Sequence, residues 1–213
     1  MLLKESLSQS GWDGFREKTE SKLKITANDA LEKLVRDFQF NTILDIGCGA
    51  GEHSKFLREN GRQVTALDLG QYHSFVPDIK GDYLATKFDQ QFDAIWCAHT
   101  LEHIRNFGMF LDKIYDDIRV GGVVALTVPP AKDNIVGGHV TIWNPGLLLY
   151  NMIISGFDCR QASVKTYGYN VSIIVTKIPT GLPRNSWSMN DLAKFFPLEA
   201  KQDFDGRIKS INW

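Results

Sequence analysis

Cysteine is scarce in this chain. Cys48, Cys97 and Cys159 are odd in number and far apart along 213 residues. No CxxC or Cys/His spacing suggests zinc, so no metal site is expected. Reduced thiols in a reducing, cytoplasmic compartment are the simplest reading. Long apolar runs are missing too. None approaches the about 18 residues needed to cross a bilayer, and the opening MLLKESLSQSGW lacks the apolar core of a secretory signal. No integral membrane segment is expected, although peripheral contact with a membrane is left open. Charge of one sign is also lacking. Lys and Arg number 24 against 25 Asp and Glu, a formal net charge of −1. Without a basic run or stripe there is no electrostatic reason to expect a nucleic-acid partner. Internal repeats and low-complexity segments are absent from the sequence.

What is present suits one sizeable core rather than two. Leu31, Leu34, Val35 and Phe38 follow helical spacing. Thr42–Ile46 reads as a short buried strand. Residues 52–60 read as a helix with Phe56 and Leu57 inward and Gly61 as its stop. The segment 63–67 is the next strand, ended by Asp68. Strand, glycine turn, helix and strand within about 30 residues make a βαβ unit with a right-handed crossover. The alternation continues with a strand at Phe92–Ala98 and a helix over 108–118, with Met109, Leu111, Ile114, Tyr115 and Ile118 apolar. A strand over 122–128 follows, closed by Pro129 and Pro130. The helix Pro145–Ile154 opens on Asn144 as cap with proline at its first position. Residues 161–167 and 170–178, split by Gly168, read as antiparallel strands. A short helix over 190–196 lies in the proline-punctuated remainder. The fold class is α/β: a doubly wound, Rossmann-like sheet, mostly parallel, with an antiparallel C-terminal strand pair.

The stretch TILDIGCGAGEH places a glycine at every second position, Gly47, Gly49 and Gly51, at the carboxyl end of the first strand. Ordering glycine is costly, so this spacing suggests that something approaches the backbone closely. Ligands of open α/β sheets bind at such strand ends, and Asp68, about 20 residues further on, suits a contact to ribose hydroxyls. Two nucleoside cofactors want this geometry. A dinucleotide presents pyrophosphate to the helix N-terminus, but Glu52 fills the third-glycine position of the GxGxxG fingerprint and would repel it. S-adenosylmethionine carries a sulfonium and an ammonium, which suit an acidic, glycine-lined pocket better.

DIGCGAG, ALDLG, GDYL, FDAIWCAHTLEHI and IRVGGVVALTVPP, in that order, resemble the motif series of the class I S-adenosylmethionine-dependent methyltransferases, of the type 11/12 kind. The likeness is close over residues 40–130 and one of overall pattern over 131–178. It implies a methyltransferase using S-adenosyl-L-methionine. By resemblance, Asp45, Gly47, Gly49 and Gly51 line the methionine end of the cofactor, Asp68 and Leu69 meet the ribose, and Asp82 and Tyr83 meet the adenine. Ala98 and His99 fall where carbonyls face the methionine moiety and the acceptor enters. For Asp82 the plainer reading is a turn cap, and for Tyr83 it is packing. A single domain over 1–213 is expected: an N-terminal helical cap or lid (1–40), a catalytic core (41–178) and a C-terminal extension (179–213).

Methyl transfer is an in-line displacement at a carbon already activated by the sulfonium, so acceptor and methyl must be held close and collinear. An oxygen or nitrogen acceptor must also lose a proton, so a general base helps, and histidine suits neutral pH. Of five histidines, His139, in the loop after the fifth strand, and His99, after the fourth, are the candidate catalytic residues. His53, His73 and His103 read as exposed, irregular or packing positions, and Glu102 is a further candidate base that the resemblance makes more often structural. Trp143 and Trp12 are candidate acceptor-pocket walls, and residues 10–25, with Gly11 and Gly14, a candidate lid. Trp187, Phe195, Phe196 and Trp213 would pack back on the sheet or dock a partner. HVTIWNP resembles the loop of bacterial enzymes acting on small molecules and cell-surface sugars. The expected reaction is O-methylation of a small molecule or saccharide intermediate, and a homodimer is left open. The alternatives are a non-catalytic binding protein of the same fold and an NAD-dependent dehydrogenase.

Overall fold

The computed structural model describes residues 25–70, 74–181, 188–201 and 207–213. Trp12, Gly11, Gly14, most of the candidate lid, His73 and Trp187 lie outside the described residues.

Chain order runs α1 (Asn28–Asp37), β1 (Thr42–Ile46), α2 (Glu52–Glu59), β2 (Gln63–Asp68), β3 (Ile79–Lys80), β4 (Phe92–Ala98), α3 (Phe107–Asp117), β5 (Ile118–Val128), α4 (Pro145–Ile154), β6 (Ser163–Tyr167), β7 (Asn170–Thr176), α5 (Met189–Leu192) and β8 (Ser210–Ile211). A single-turn 3₁₀ segment, Leu101–His103, links β4 to α3. The strands form one sheet in the order β3-β2-β1-β4-β5-β7-β6-β8. The pairs from β3 to β5 are parallel, and β7, β6 and β8 join them antiparallel.

Strand side chains alternate between the two faces of a sheet. Ile43, Ala94, Trp96 and Ala98 therefore point to one face, where Leu31 and Leu34 of α1 and Leu57 of α2 cover them. Leu44, Ile46, Ile95 and Cys97 point to the other, under Phe110, Leu111 and Ile114 of α3 and Leu149, Met152 and Ile153 of α4. This is the doubly wound arrangement, and it leaves the carboxyl ends of β1, β2, β4 and β5 as the open edge.

Local signals explain the element ends. Gly61, at φ 77°, lets the N–H of Arg62 reach Leu57 O at 3.1 Å while its own N–H reaches Arg58 O at 2.9 Å, a Schellman stop to α2. Asn144 Oδ1 accepts from Leu147 N at 2.8 Å and caps α4. Several boundaries differ from expectation. The third helix is Phe107–Asp117, and Phe110, not the exposed Met109, points inward. Ile118 belongs to β5, which starts before Gly122 because the chain enters the strand directly. A register shift between Phe92 and Ala94 absorbs the extra residues opposite β4. The helix expected over 190–196 is one α-turn followed by a 3₁₀ turn, Ala193–Phe195, with Phe196 and then Pro197 next in sequence. The two-residue strands β3 and β8 had no sequence signal at all.

Candidate active site

The glycine loop is pinned to its neighbour strand first. Gly47 N and Cys48 N both donate to Leu67 O, at 2.8 and 3.1 Å. Gly47, Gly49 and Gly51 all have left-handed φ, 71°, 53° and 78°. At two of them the close approach comes from the protein itself. A Cβ on Gly47 would run into Thr100 Oγ1, and one on Gly51 into the ring of Phe75. Thr100 in turn donates to Ile46 O at 3.2 Å, so the loops after β1 and β4 are locked face to face. Thr100 lies within the FDAIWCAHTLEHI stretch without a role of its own there, and Phe75 lies outside every quoted motif.

Asp45 lies beneath this loop, buried, with Ser54 Oγ donating to its Oδ2 at 2.5 Å. Burial raises its pKa despite that bond. Asp68, at the end of β2, accepts from Gly49 N at 3.1 Å through Oδ2 and from Gly70 N at 2.7 Å through Oδ1. A carboxylate oxygen has two lone pairs, so both retain capacity for an incoming hydroxyl. Leu69 beside it is exposed. Asp82 is exposed and accepts from Leu84 N at 2.9 Å, the turn-cap geometry. Tyr83 is a packing residue. Its hydroxyl donates to Asp117 Oδ2 at 2.7 Å, and its ring packs edge-on to Phe110 at 5.0 Å between centroids. Its side chain therefore sits in the core rather than stacking at the open edge.

At the end of β4, Ala98 is buried, and His99 after it has a φ of 53°, left-handed without being glycine. Such a conformation persists only where the surroundings enforce it. Here His99 N donates to Thr127 O at 2.9 Å, Nε2 meets Asn170 Oδ1 at 2.8 Å, and Nδ1 lies 3.4 Å from Glu102 Oε1. Burial opposes a charge on the ring, but the bonds to Glu102 and Asn170 outweigh it and its pKa is raised. Both ring nitrogens face protein oxygens, an arrangement that suits a positioned, protonated imidazole better than a free base. The ring stacks on Tyr169, with centroids 6.1 Å apart. Lys132 Nζ lies 4.3 Å from the centroid of the same Tyr169 ring.

Tyr169, Lys132, Pro130, His139 and Trp143 line a cavity of about 200 Å³. Trp143 is buried, donates from Nε1 to Thr141 Oγ1 at 2.8 Å and packs edge-on to Phe107, so it is both core and cavity wall. Contacts run unbroken from Gly47 through Thr100, His99 and Tyr169 to this cavity. Among the other histidines, His53 packs edge-on to Trp96 with Nε2 2.9 Å from Thr26 O. Asn170 and Tyr169 sit on the β6–β7 hairpin, 71 positions from His99 in the case of Asn170, beyond the reach of local motif reading.

Residues 15–170 match the methyltransferase domain model, which covers most of the chain, and the chain belongs to this methyltransferase domain family. It is similar to the malonyl-[acyl-carrier protein] O-methyltransferase of Salmonella typhimurium, 35% identical over 112 residues, covering 46% of this chain and 43% of that protein. It is also similar to the ubiquinone biosynthesis O-methyltransferase of Pseudomonas entomophila, 29% identical over 96 residues, covering 38% and 41%. The matched part thus spans less than half the length of these curated relatives. The fold is similar to the crystal structure of the 1,6-didemethyltoxoflavin-N1-methyltransferase of Burkholderia thailandensis bound to 1,6-didemethyltoxoflavin and S-adenosylhomocysteine. There the TM-score is 0.60 at 16% identity, covering 70% of this chain and 76% of that one.

Proposed function

We propose that this methyltransferase domain uses S-adenosylmethionine to methylate an oxygen of a small molecule or saccharide intermediate. The observation that carries the cofactor is the acid set around the glycine loop. Asp68 accepts two backbone N–H groups and keeps lone pairs for ribose hydroxyls. Asp45 gives the loop a buried acidic floor. Glu52 stands at the first position of α2, where the pyrophosphate of a dinucleotide would need a positive end. A cationic, phosphate-free nucleoside fits this chemistry. Bound there, S-adenosylmethionine would supply an electrophilic methyl group. By the family resemblance Asp82 would meet the adenine and Leu69 would add to the cofactor contacts, and Tyr83 would contribute through packing.

The acceptor reading rests on the cavity beside Tyr169 and His139. His99, held by Asn170 and Glu102, would orient that wall, and His139, which lines the cavity, would assist loss of the acceptor's proton. The O-methyltransferases among the similar proteins support oxygen as the acceptor atom.

The test is calorimetric titration with S-adenosylmethionine, S-adenosylhomocysteine and NAD, on the native chain and on Asp68→Ala. Micromolar binding of both adenosyl ligands, weakened about 10- to 100-fold in the variant and absent for NAD, is expected, since a charge-assisted hydrogen bond contributes roughly 1.5–3 kcal/mol. Folded protein that binds neither adenosyl ligand would sink the reading.

A further inference from the structure

The loop carrying His139 is stapled to the turn carrying Glu102 and His103. Val140 N and Thr141 N both donate to Glu102 O, at 2.8 and 3.2 Å. Gly138, at φ 81°, lies so close that a Cβ there would sit 3.2 Å from His103 Nδ1. That nitrogen instead meets Gly138 O at 2.7 Å. A carbonyl only accepts, so Nδ1 carries a proton, and in the neutral ring the lone pair falls to Nε2. This is the outer-sphere bond that fixes the tautomer of a metal-ligating histidine.

His103 Nε2 points back towards Glu102, 3.9 Å from Oε1. The Glu102 side chain is 1% exposed, and its Oε2 is buried without a hydrogen-bond partner among the described residues. A bare buried carboxylate oxygen is costly and calls for a proton or a cation. The His139 ring stands edge-on to His103, with centroids 5.1 Å apart. One ligand atom each from Glu102, His103 and His139 lies within 4.8 Å of the others. Ligands about 2.1 Å from a tetrahedral ion lie about 3.4 Å from one another, so closure needs up to about 1.4 Å of movement, available to the partly exposed His139 loop.

We propose that Glu102, His103 and His139 form a divalent-cation site at the mouth of the acceptor cavity. Two imidazoles and one carboxylate favour a first-row transition ion or zinc over magnesium or calcium, which prefer all-oxygen sets. Three protein ligands leave positions open for water or for an acceptor oxygen. His139 both ligates and lines the cavity, so an acceptor hydroxyl reaching it could bind the ion and lose its proton more readily. Glu102 would then couple the ion to His99 through Oε1. The acceptor role rests on the methyltransferase reading, whereas the site itself does not. Sequence spacing alone pointed away from a metal, because His139 joins the adjacent pair Glu102–His103 only through the fold.

The experiment is titration of chelator-treated full-length protein with Co²⁺, read by its visible absorption, with Zn²⁺ and Mg²⁺ as competitors. A one-to-one complex displaced by Zn²⁺ but not by Mg²⁺ is expected. His139→Ala, on a partly exposed loop, and His103→Ala should each weaken it at least about tenfold, and Glu102→Gln should do the same. No complex, or one unchanged in His139→Ala and His103→Ala, overturns the proposal even if Glu102→Gln fails to fold. Asp68→Ala should keep full Co²⁺ binding while losing S-adenosylmethionine, so failure of the metal site and failure of the cofactor reading are separately visible.

Discussion

Gly47 and Thr100 are two residues solving one steric problem. The left-handed backbone at Gly47 alone charges an alanine about 1–2 kcal/mol, and Thr100 occupies the space a Cβ would take. Gly47→Ala should therefore lower stability by more than that, measured by denaturant unfolding. The double variant with Thr100→Ala should recover part of the loss, because Oγ1 and Cγ2 are the nearest atoms. A strictly additive double-mutant cycle would refute the contact. The same scale explains what the sequence concealed. Its glycine spacing announced a close approach, and the approaching groups at Gly47 and Gly51 are Thr100 and Phe75 as well as any ligand. His99 was visible as a strand-end histidine. Its partner Asn170 was not, since a hydrogen bond across 71 positions leaves no local periodicity.

Elements here are held in register by particular side chains. Asp93, on β4, accepts from Asn41 N and Thr42 N at 3.0 and 2.9 Å and pairs with Arg119 Nε at 2.6 Å. It thereby ties the entrance of β1 to β4 and β5. The Thr42 backbone bond and the Arg119 guanidinium hold its carboxyl well below the usual carboxylate range. A depressed folded pKa gives stability that is present above the unfolded value, about 3.9, and is lost as pH falls towards the folded one. Asp93→Ala should thus cost about 1–2 kcal/mol at neutral pH. The gap between variant and native chain should narrow as pH drops below about 4, followed by chemical denaturation at each pH. Asn144→Ala, which removes the α4 cap, should cost about 1 kcal/mol with no such pH dependence. The cap, the Gly61 stop and the strand Phe92–Ala98 were all legible, because each depends on neighbours in sequence. The strands β3 and β8 were not, because two-residue strands exist only through pairing with β2 and β6.

At the scale of the molecule, the two ends of the described chain meet. Trp213 lies against Tyr167, with centroids 6.1 Å apart. Lys33 of α1 and Lys165 of β6 approach its ring at 5.6 and 5.3 Å. Trp213→Ala should lower stability by about 2 kcal/mol through lost apolar cover and cation–π contact, seen as a lower melting temperature with S-adenosylmethionine affinity preserved. Of the aromatics flagged in the tail, Phe195 and Phe196 pack in the core. The layered architecture was readable from alternating strand and helix patterns. The sheet order was not, since the reversal that inserts β7 between β5 and β6 is a long-range choice.

That reversal separates two jobs in heredity as well as in space. Because β7 runs against β5, the hairpin joining it to β6 arrives at the same edge as the glycine loop, bringing Tyr169 and Asn170. A surface turn can lengthen, shorten or exchange residues with little penalty to the sheet behind it. On the proposed reading, a scaffold of this kind would change what it modifies by editing that turn, while the strands beneath the glycine loop stay as they are.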